Sequence, residues 1–241
     1  MVGPRARTDS VGPMAEPVAP SIGLGVVHLF LSTSARTDRS AVEQAVSSAR
    51  SDGVQVVPVS ILGHKADLAI MALGEDLWRL RRLQSDLVGA GLTLTTSYVS
   101  LTEQSEYAKG IPEAMRQARL YPQLPPEDKP AWCFYPMSKR RETEDNWYTL
   151  SFEDRKDLML EHGASGRKFH GRVLQLITGS TGLDEYEWGV TLFAQKPDDL
   201  KEVVYTMRFD EASARFADFG PFYTGMIASL DEVLDASGLA G

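Results

Sequence analysis

Residues 121–130 read YPQLPPEDKP, and this stretch decides how the rest of the chain divides. Pro122, Pro125, Pro126 and Pro130 lack the amide hydrogen that helices and inner strands require, so the segment is a connector. Toward the N-terminus, residues 24–31 form a compact apolar run that predicts a strand, and Val42, Ala45, Val46 and Ala49 recur at helical spacing. The β-branched run 54–62 predicts a strand again. Leu77, Leu80, Leu83 and Leu87 mark an amphipathic helix ended near Gly89 and Gly91, and 92–101 alternates as a further strand. The first hundred residues therefore read strand, helix, strand, helix, strand.

Beyond the connector the rhythm returns. Residues 132–136 are strand-like, and Ser151 with Asp154 forms an N-terminal capping pattern for a helix running toward His162, with Gly163 and Gly166 as stop signals. Residues 173–178 and 188–194 read as strands separated by the turn Gly179-Ser180-Thr181-Gly182. Pro197 opens a helix containing Leu200, Val203, Val204 and Met207; residues 219–227 predict a last strand and 230–236 a short helix. Two halves of like order predict an α+β fold made of two ferredoxin-like units. Their antiparallel sheets would pack face to face or form a barrel-like core, with helices outside. The expected divisions are a flexible tail over 1–20, an N-terminal half over 21–120, the connector over 121–130 and a C-terminal half over 131–241.

Composition narrows the function. A formal charge of −8 argues against general binding of nucleic acid, which relies on basic side chains meeting phosphates. Cys133 is the only cysteine, which excludes an internal disulfide and a multi-thiolate metal site and fits a reducing cytoplasm. No apolar run approaches the roughly 18 residues of a membrane span, and the proline-studded first twenty residues carry no signal-peptide pattern. Walker, Rossmann and nucleophile-elbow patterns are absent.

His162 follows Leu158 and Met159 by four and three residues, so its imidazole shares a helix face with apolar side chains. That presentation suits a proximal haem ligand, and it equally suits a core histidine satisfied by backbone. His28, His64 and His170 show no zinc spacing. The block Phe134-Tyr135-Pro136-Met137-Ser138-Lys139-Arg140-Arg141 leads a tyrosine into three cations. Such a cluster suits a ligand with several carboxylates or phosphates, or else forms a solvated strand end. Tryptophans beside polar groups, in Asn146-Trp147-Tyr148 and Glu187-Trp188-Gly189, line pockets or fill cores.

The stretches CFYPMSKRR, NWY, EHG, GRVLQLITGSTGLDEYEWGVTLF and MRFDEASARFADFGPFYTG, ordered between Arg119 and Gly225, resemble the coproheme decarboxylases of the chlorite-dismutase-like superfamily. The resemblance implies two ferredoxin-like halves per subunit, assembly into a homopentamer in the cytoplasm, and porphyrin bound by the C-terminal half. It implies hydrogen-peroxide-dependent loss of two propionates from iron coproporphyrin III (coproheme), giving haem b. It also implies a transient contact with the iron-inserting chelatase. His162 of EHG is similar to the proximal iron ligand, Tyr135 to the residue oxidised to a radical, and Lys139 to a lysine near the second reacting propionate. Met137 lies on the strand side of Tyr135 and would line the pocket. Gln175 falls where these decarboxylases carry a distal glutamine and chlorite dismutases an arginine. Arg119, Tyr107, Arg208 and Ser213 resemble propionate-binding positions. The alternatives are a chlorite dismutase or haem peroxidase, and a non-catalytic haem-binding carrier or sensor.

Overall fold

The computed structural model describes residues 16–108 and 110–239. Its first half runs β1 (Gly25–Ser32), α1 (Arg39–Ser51), β2 (Gln55–Ile61), β3 (Leu68–Gly74), α2 (Leu77–Gly89), β4 (Thr93–Thr102) and α3 (Glu113–Leu120). The second runs β5 (Ala131–Lys139), α4 (Phe152–Arg167), β6 (Val173–Gly179), β7 (Trp188–Ala194), α5 (Pro197–Met207), α6 (Glu211–Ala214), β8 (Ala217–Phe219), β9 (Tyr223–Ile227) and α7 (Leu230–Ala236). Asp38 and Asp76 start α1 and α2 by accepting the amides of Ala41 and Trp78, and Ser229 with Glu232 closes a capping box on α7. Most of the expected tail, residues 1–15, lies outside the described residues. Val18 is fixed to the start of α2, with its amide on Asp76 Oδ1 at 3.1 Å and its carbonyl on the Leu77 amide at 2.9 Å.

Within the first half the strands pair in the order β4-β1-β3-β2, and within the second as β9-β5-β7-β6. Each is the antiparallel order of a ferredoxin-like βαββαβ unit. The pairs β4–β6 and β2–β9 then join the two sheets, so eight strands close on themselves and β8 adds only a short flap to the end of β5. The fold is thus α+β with a barrel-like core, as the sequence predicts.

Three local expectations are corrected. The strand expected over 54–62 matches β2, but β3 is missed before the helix at 77–87, because Leu68-Ala69-Ile70-Met71-Ala72-Leu73-Gly74 is buried on both faces and shows no alternation. The strand expected over 219–227 is broken at Gly220-Pro221 into β8 and β9, which pair with different stretches of β5. Gly163 and Gly166 do not stop α4, which continues to Arg167.

Alternation along β5 sorts the core. Trp132 and Phe134 point into the barrel with Phe30, Met71, Tyr98 and Phe193 from both halves, whereas Ala131, Cys133 and Tyr135 point outward beneath α5. Full burial of each large interior side chain contributes roughly 1.5–3 kcal/mol. Helices α1, α2 and α7 cover the outer face of the first sheet. His28 points into the barrel: its ring stacks on Phe134 at 4.1 Å and its Nε2 lies 2.9 Å from Thr191 Oγ1. Burial pushes its pKa down to about 3, so the imidazole is neutral.

Candidate functional site

The outer face of the β5–β7–β6 sheet carries most of the predicted residues. Strand register aligns Tyr135 with Val190 and Ile177, and Cys133 with Leu192 and Gln175. Tyr135 and Gln175 therefore share one face, two strands and one register step apart, on the order of 10 Å. Met137 follows Tyr135 on that face by the two-residue period. Some of this surface lacks cover: Ile177 is 43% exposed, and Met137 and Gln175 are only half-buried.

Helix α4 lies over this face without settling on it. None of its residues is buried, and its main neighbours are α5 and α6. Arg155, Leu158, Met159, His162 and Gly166 fall on one helix face by their spacing. At Gly166 the backbone comes so near Gln175 that an added Cβ would stand 3.3 Å from its Nε2, which places the inward side of α4 opposite the sheet. Side chains such as Met137, Gln175 and Ile177 thus stay partly exposed on a sheet that carries a tyrosine, below a helix that carries a histidine.

His162 is held by a residue the sequence did not disclose. Asp210 caps the start of α6, accepting the Ser213 amide at 3.0 Å, and both its carboxylate oxygens lie 3.1 Å from His162 Nδ1. Burial pushes the Asp210 carboxyl up, but the hydrogen bond and charge attraction of His162, with the Ser213 amide and hydroxyl, outweigh it and hold it below the usual carboxylate range. An ionised Asp210 requires Nδ1 to donate, and in the neutral imidazole that arrangement leaves the Nε2 lone pair for a ligand. The signal for Asp210 was its capping position three residues before Ser213.

The remaining predicted residues divide. Tyr135 is buried, its ring stacked on Phe222 at 4.4 Å and tilted against Phe219 at 5.7 Å. Burial pushes its phenol well above the ordinary range, Cys133 adds to this and the charge of Arg208 opposes it, so the hydroxyl keeps its proton at neutral pH. Arg208 caps α5 and stands 4.7 Å over the Phe219 ring, in the same group. Lys139 is buried, donates to the Ala212 carbonyl at 3.0 Å and lies 4.1 Å over Trp147. Burial pulls its ammonium down to about 8 against the pull of Asp210 and Glu187. Ser213 has its hydroxyl 3.4 Å from His162 Nδ1, within the histidine cluster. Tyr107 accepts from Arg155 Nε at 3.0 Å at the start of α4.

Two readings of the sequence are altered by these positions. The basic run does not converge on one point, since Lys139 turns inward, Arg140 pairs with Asp218 at 3.2 Å and Arg141 reaches Glu187 at 3.9 Å. Arg119 is exposed at the end of α3 and has no ion pair among the described residues, while Leu120 beside it is tied to β4 through Thr102. Among the described residues no three His, Cys, Asp or Glu side chains converge to hold a metal ion. An iron at His162 would have to bring its other ligands with it, as a porphyrin does. No helix among the described residues is long and apolar enough to cross a membrane.

Comparison with known proteins identifies the family. The chain is 46% identical over 178 residues to the coproheme decarboxylase of Staphylococcus carnosus, covering 70% of this chain and 71% of that one. It is 45% identical over 183 residues to a Natronomonas pharaonis protein provisionally named as heme-binding, matching 69% of this chain but only 30% of that longer protein. Among solved structures, a heme-binding protein of Thermus thermophilus superposes with a TM-score of 0.81 at 34% identity, over 90% of this chain and 96% of that one. Chlorite dismutase of Candidatus Nitrospira defluvii shares the fold, with a TM-score of 0.72 at 20% identity over 90% of this chain and 96% of that one. The chlorite dismutase family model matches residues 36–228, and the chain belongs to that family.

Proposed function

We propose that this protein is a coproheme decarboxylase, which converts two propionates of iron coproporphyrin III to vinyl groups with hydrogen peroxide and yields haem b. The observation that carries the proposal is that Tyr135, Met137 and Gln175 share one sheet face, that α4 meets this face where Gly166 nears Gln175, and that His162, one turn earlier on α4, is bonded through Nδ1 to Asp210. The similarity to the Staphylococcus carnosus enzyme supports the same substrate.

The half-exposed apolar face of β5–β7–β6 and the uncovered inward side of α4 fit a flat macrocycle, and Lys139, Arg208 and Tyr107 fit its carboxylate rim. His162 Nε2 would hold the iron. When bound, the iron porphyrin is both the substrate and the centre at which peroxide is reduced. For each propionate, one peroxide and one proton would be consumed; the vinyl group forms on the macrocycle, and carbon dioxide and two waters leave. Tyr135, protonated in its buried position, would give its hydrogen atom to the first oxidising equivalent of the peroxide and regain one from the propionate β-carbon, and the second equivalent would take the remaining electron as the bond to the carboxylate breaks. Gln175, on the sheet face, would line the pocket that holds the porphyrin. As an amide it offers hydrogen bonds without the positive charge of an arginine, which favours decarboxylation over chlorite chemistry. Lys139 would steady the second propionate after leaving its bond to Ala212. A homopentamer, a cytoplasmic location and a transient contact with the iron-inserting chelatase belong to the same proposal.

The test is mass spectrometry of the bound porphyrin before and after peroxide. Haem b formed through a three-propionate intermediate is expected. Tyr135→Phe should keep coproheme binding and form no product; normal turnover by that variant would remove Tyr135 from the mechanism.

A further inference from the structure

The break between β8 and β9 falls opposite Tyr135. Phe219 pairs with Met137 and Tyr223 with Phe134, so Gly220, Pro221 and Phe222 together oppose only Tyr135 and Pro136. One extra residue on one strand is a β-bulge, which re-aims the side chains that follow it. Phe219 lies on the outer face with Tyr135, and strict alternation from there would turn Phe222 into the barrel. The bulge brings Phe222 to the outer face instead, while Tyr223 packs against the interior cluster, stacked on Phe30 at 3.9 Å. Gly220 and Pro221 suit this break. The Gly220 amide bonds the Pro136 carbonyl at 2.8 Å, and a Cβ at Gly220 would stand 2.7 Å from both Pro136 Cγ and Tyr186 Cζ. Two rings from one loop thus bracket a third. Phe222 stacks on Tyr135 with the planes 23° apart, and Phe219 is tilted at 56° to it.

We propose that Phe222 is a positioning residue for Tyr135: the Gly220-Pro221 bulge lays it flat on the tyrosine ring and fixes the plane in which the phenolic O–H bond lies. The inference rests on the hydrogen-atom role proposed for Tyr135 above. The torsion about the Cβ–Cγ bond of a tyrosine is broad unless something packs on the ring. Turning it leaves the oxygen on the rotation axis but swings the O–H bond, which stays in the ring plane. The direction in which a hydrogen atom leaves or returns is therefore set by what lies against the ring faces. An offset-stacked partner prefers one orientation beyond what simple burial would give. Loss of that orientation costs rate without costing affinity, because it misaligns the reacting atoms and leaves the porphyrin contacts in place. A leucine at 222 would supply apolar bulk but no flat face.

Fluorine NMR of the full-length protein carrying 3-fluorotyrosine reads the ring without any ligand. The Tyr135 signal is the one missing from Tyr135→Phe. Phe222→Leu should shift that signal, and Phe222→Tyr, which keeps a flat face, should move it less. With coproheme bound, Phe222→Leu should hold affinity within about twofold yet slow haem b formation after peroxide roughly tenfold. The tyrosyl radical trapped by rapid freezing should also show altered β-methylene splittings in its EPR spectrum, since these follow the ring plane. Phe222→Tyr should recover most of the rate. An unmoved fluorine signal would remove the stack, and a moved signal with wild-type rate would show that the ring plane does not govern the reaction; either overturns the proposal. So would equal slowing by the leucine and tyrosine variants. Wild-type protein that binds coproheme but forms no haem b would overturn the decarboxylase reading and this inference with it, an outcome distinct from the others. Should Phe222→Leu fold poorly, Gly220→Ala displaces the same loop with Phe222 intact and carries the same expectations.

Discussion

A histidine alone on a helix is ambiguous, and a carboxylate at Nδ1 removes the ambiguity by fixing which nitrogen carries the proton. His162 and Asp210 do this across 48 residues of sequence. Replacing Asp210 by Asn keeps the shape but removes the charge. The imidazole should then donate less electron density to a bound iron, and the midpoint potential of the coproheme complex should rise. Potentiometry of the Asp210→Asn protein checks this, and an unchanged potential would show that Asp210 only braces α6. The same substitution should cost the unliganded fold roughly 1–3 kcal/mol, as expected for loss of a hydrogen bond to a charged group. His162, Tyr135 and Gln175 were legible in sequence because each lies in a distinctive motif. Asp210 was not, since nothing local links a helix cap to a histidine so far away. Lys139 was legible as a cation, yet its burial over Trp147 depends on a contact that only the folded chain makes.

At the scale of elements, α4 is unusual in lacking a buried residue while running sixteen residues from Phe152 to Arg167. That His162 shares a face with Leu158 and Met159 was visible in the sequence, but the helix's length was not, because Gly163 and Gly166 suggested an end. Gly163 persists inside the helix where little crowds it, whereas Gly166 lies against Gln175. A Cβ at Gly163 would meet only the Arg167 guanidinium, at 3.5 Å. Gly163→Ala should therefore raise the stability of the unliganded protein by roughly 0.5–1 kcal/mol through helix propensity, measurable as a higher urea midpoint. A lower midpoint would mean that α4 needs the freedom of glycine at this position. Strand β3 escaped the sequence reading for the opposite reason: it is so thoroughly buried that no periodicity remained to mark it.

For the molecule as a whole, the two-unit architecture could be read from element order, while the seams β4–β6 and β2–β9 that close the barrel could not. They depend on short stretches of two or three paired residues, one of them helped by Gly225, where a Cβ would collide with the Ser60 carbonyl. Inside that closed wall His28 should make the protein sensitive to acid. The unfolded chain takes up a proton near pH 6.5 and the folded one only near 3, so stability is complete above 6.5 and falls as pH drops through that window. Between pH 6.5 and 5 the loss from this residue should approach roughly 2 kcal/mol. His28→Gln should remove that part of the dependence in urea titrations, and an identical pH profile would show that His28 is not the source. Closure also governs how copies of the chain can meet. The β4–β6 seam pairs only two residues of each strand, so residues 93–100 of β4 and 173–177 of β6 keep an edge with no strand partner among the described residues. Assembly that extends the sheets would have to use these edges and raise strand content, whereas joining through helices and loops would leave it unchanged.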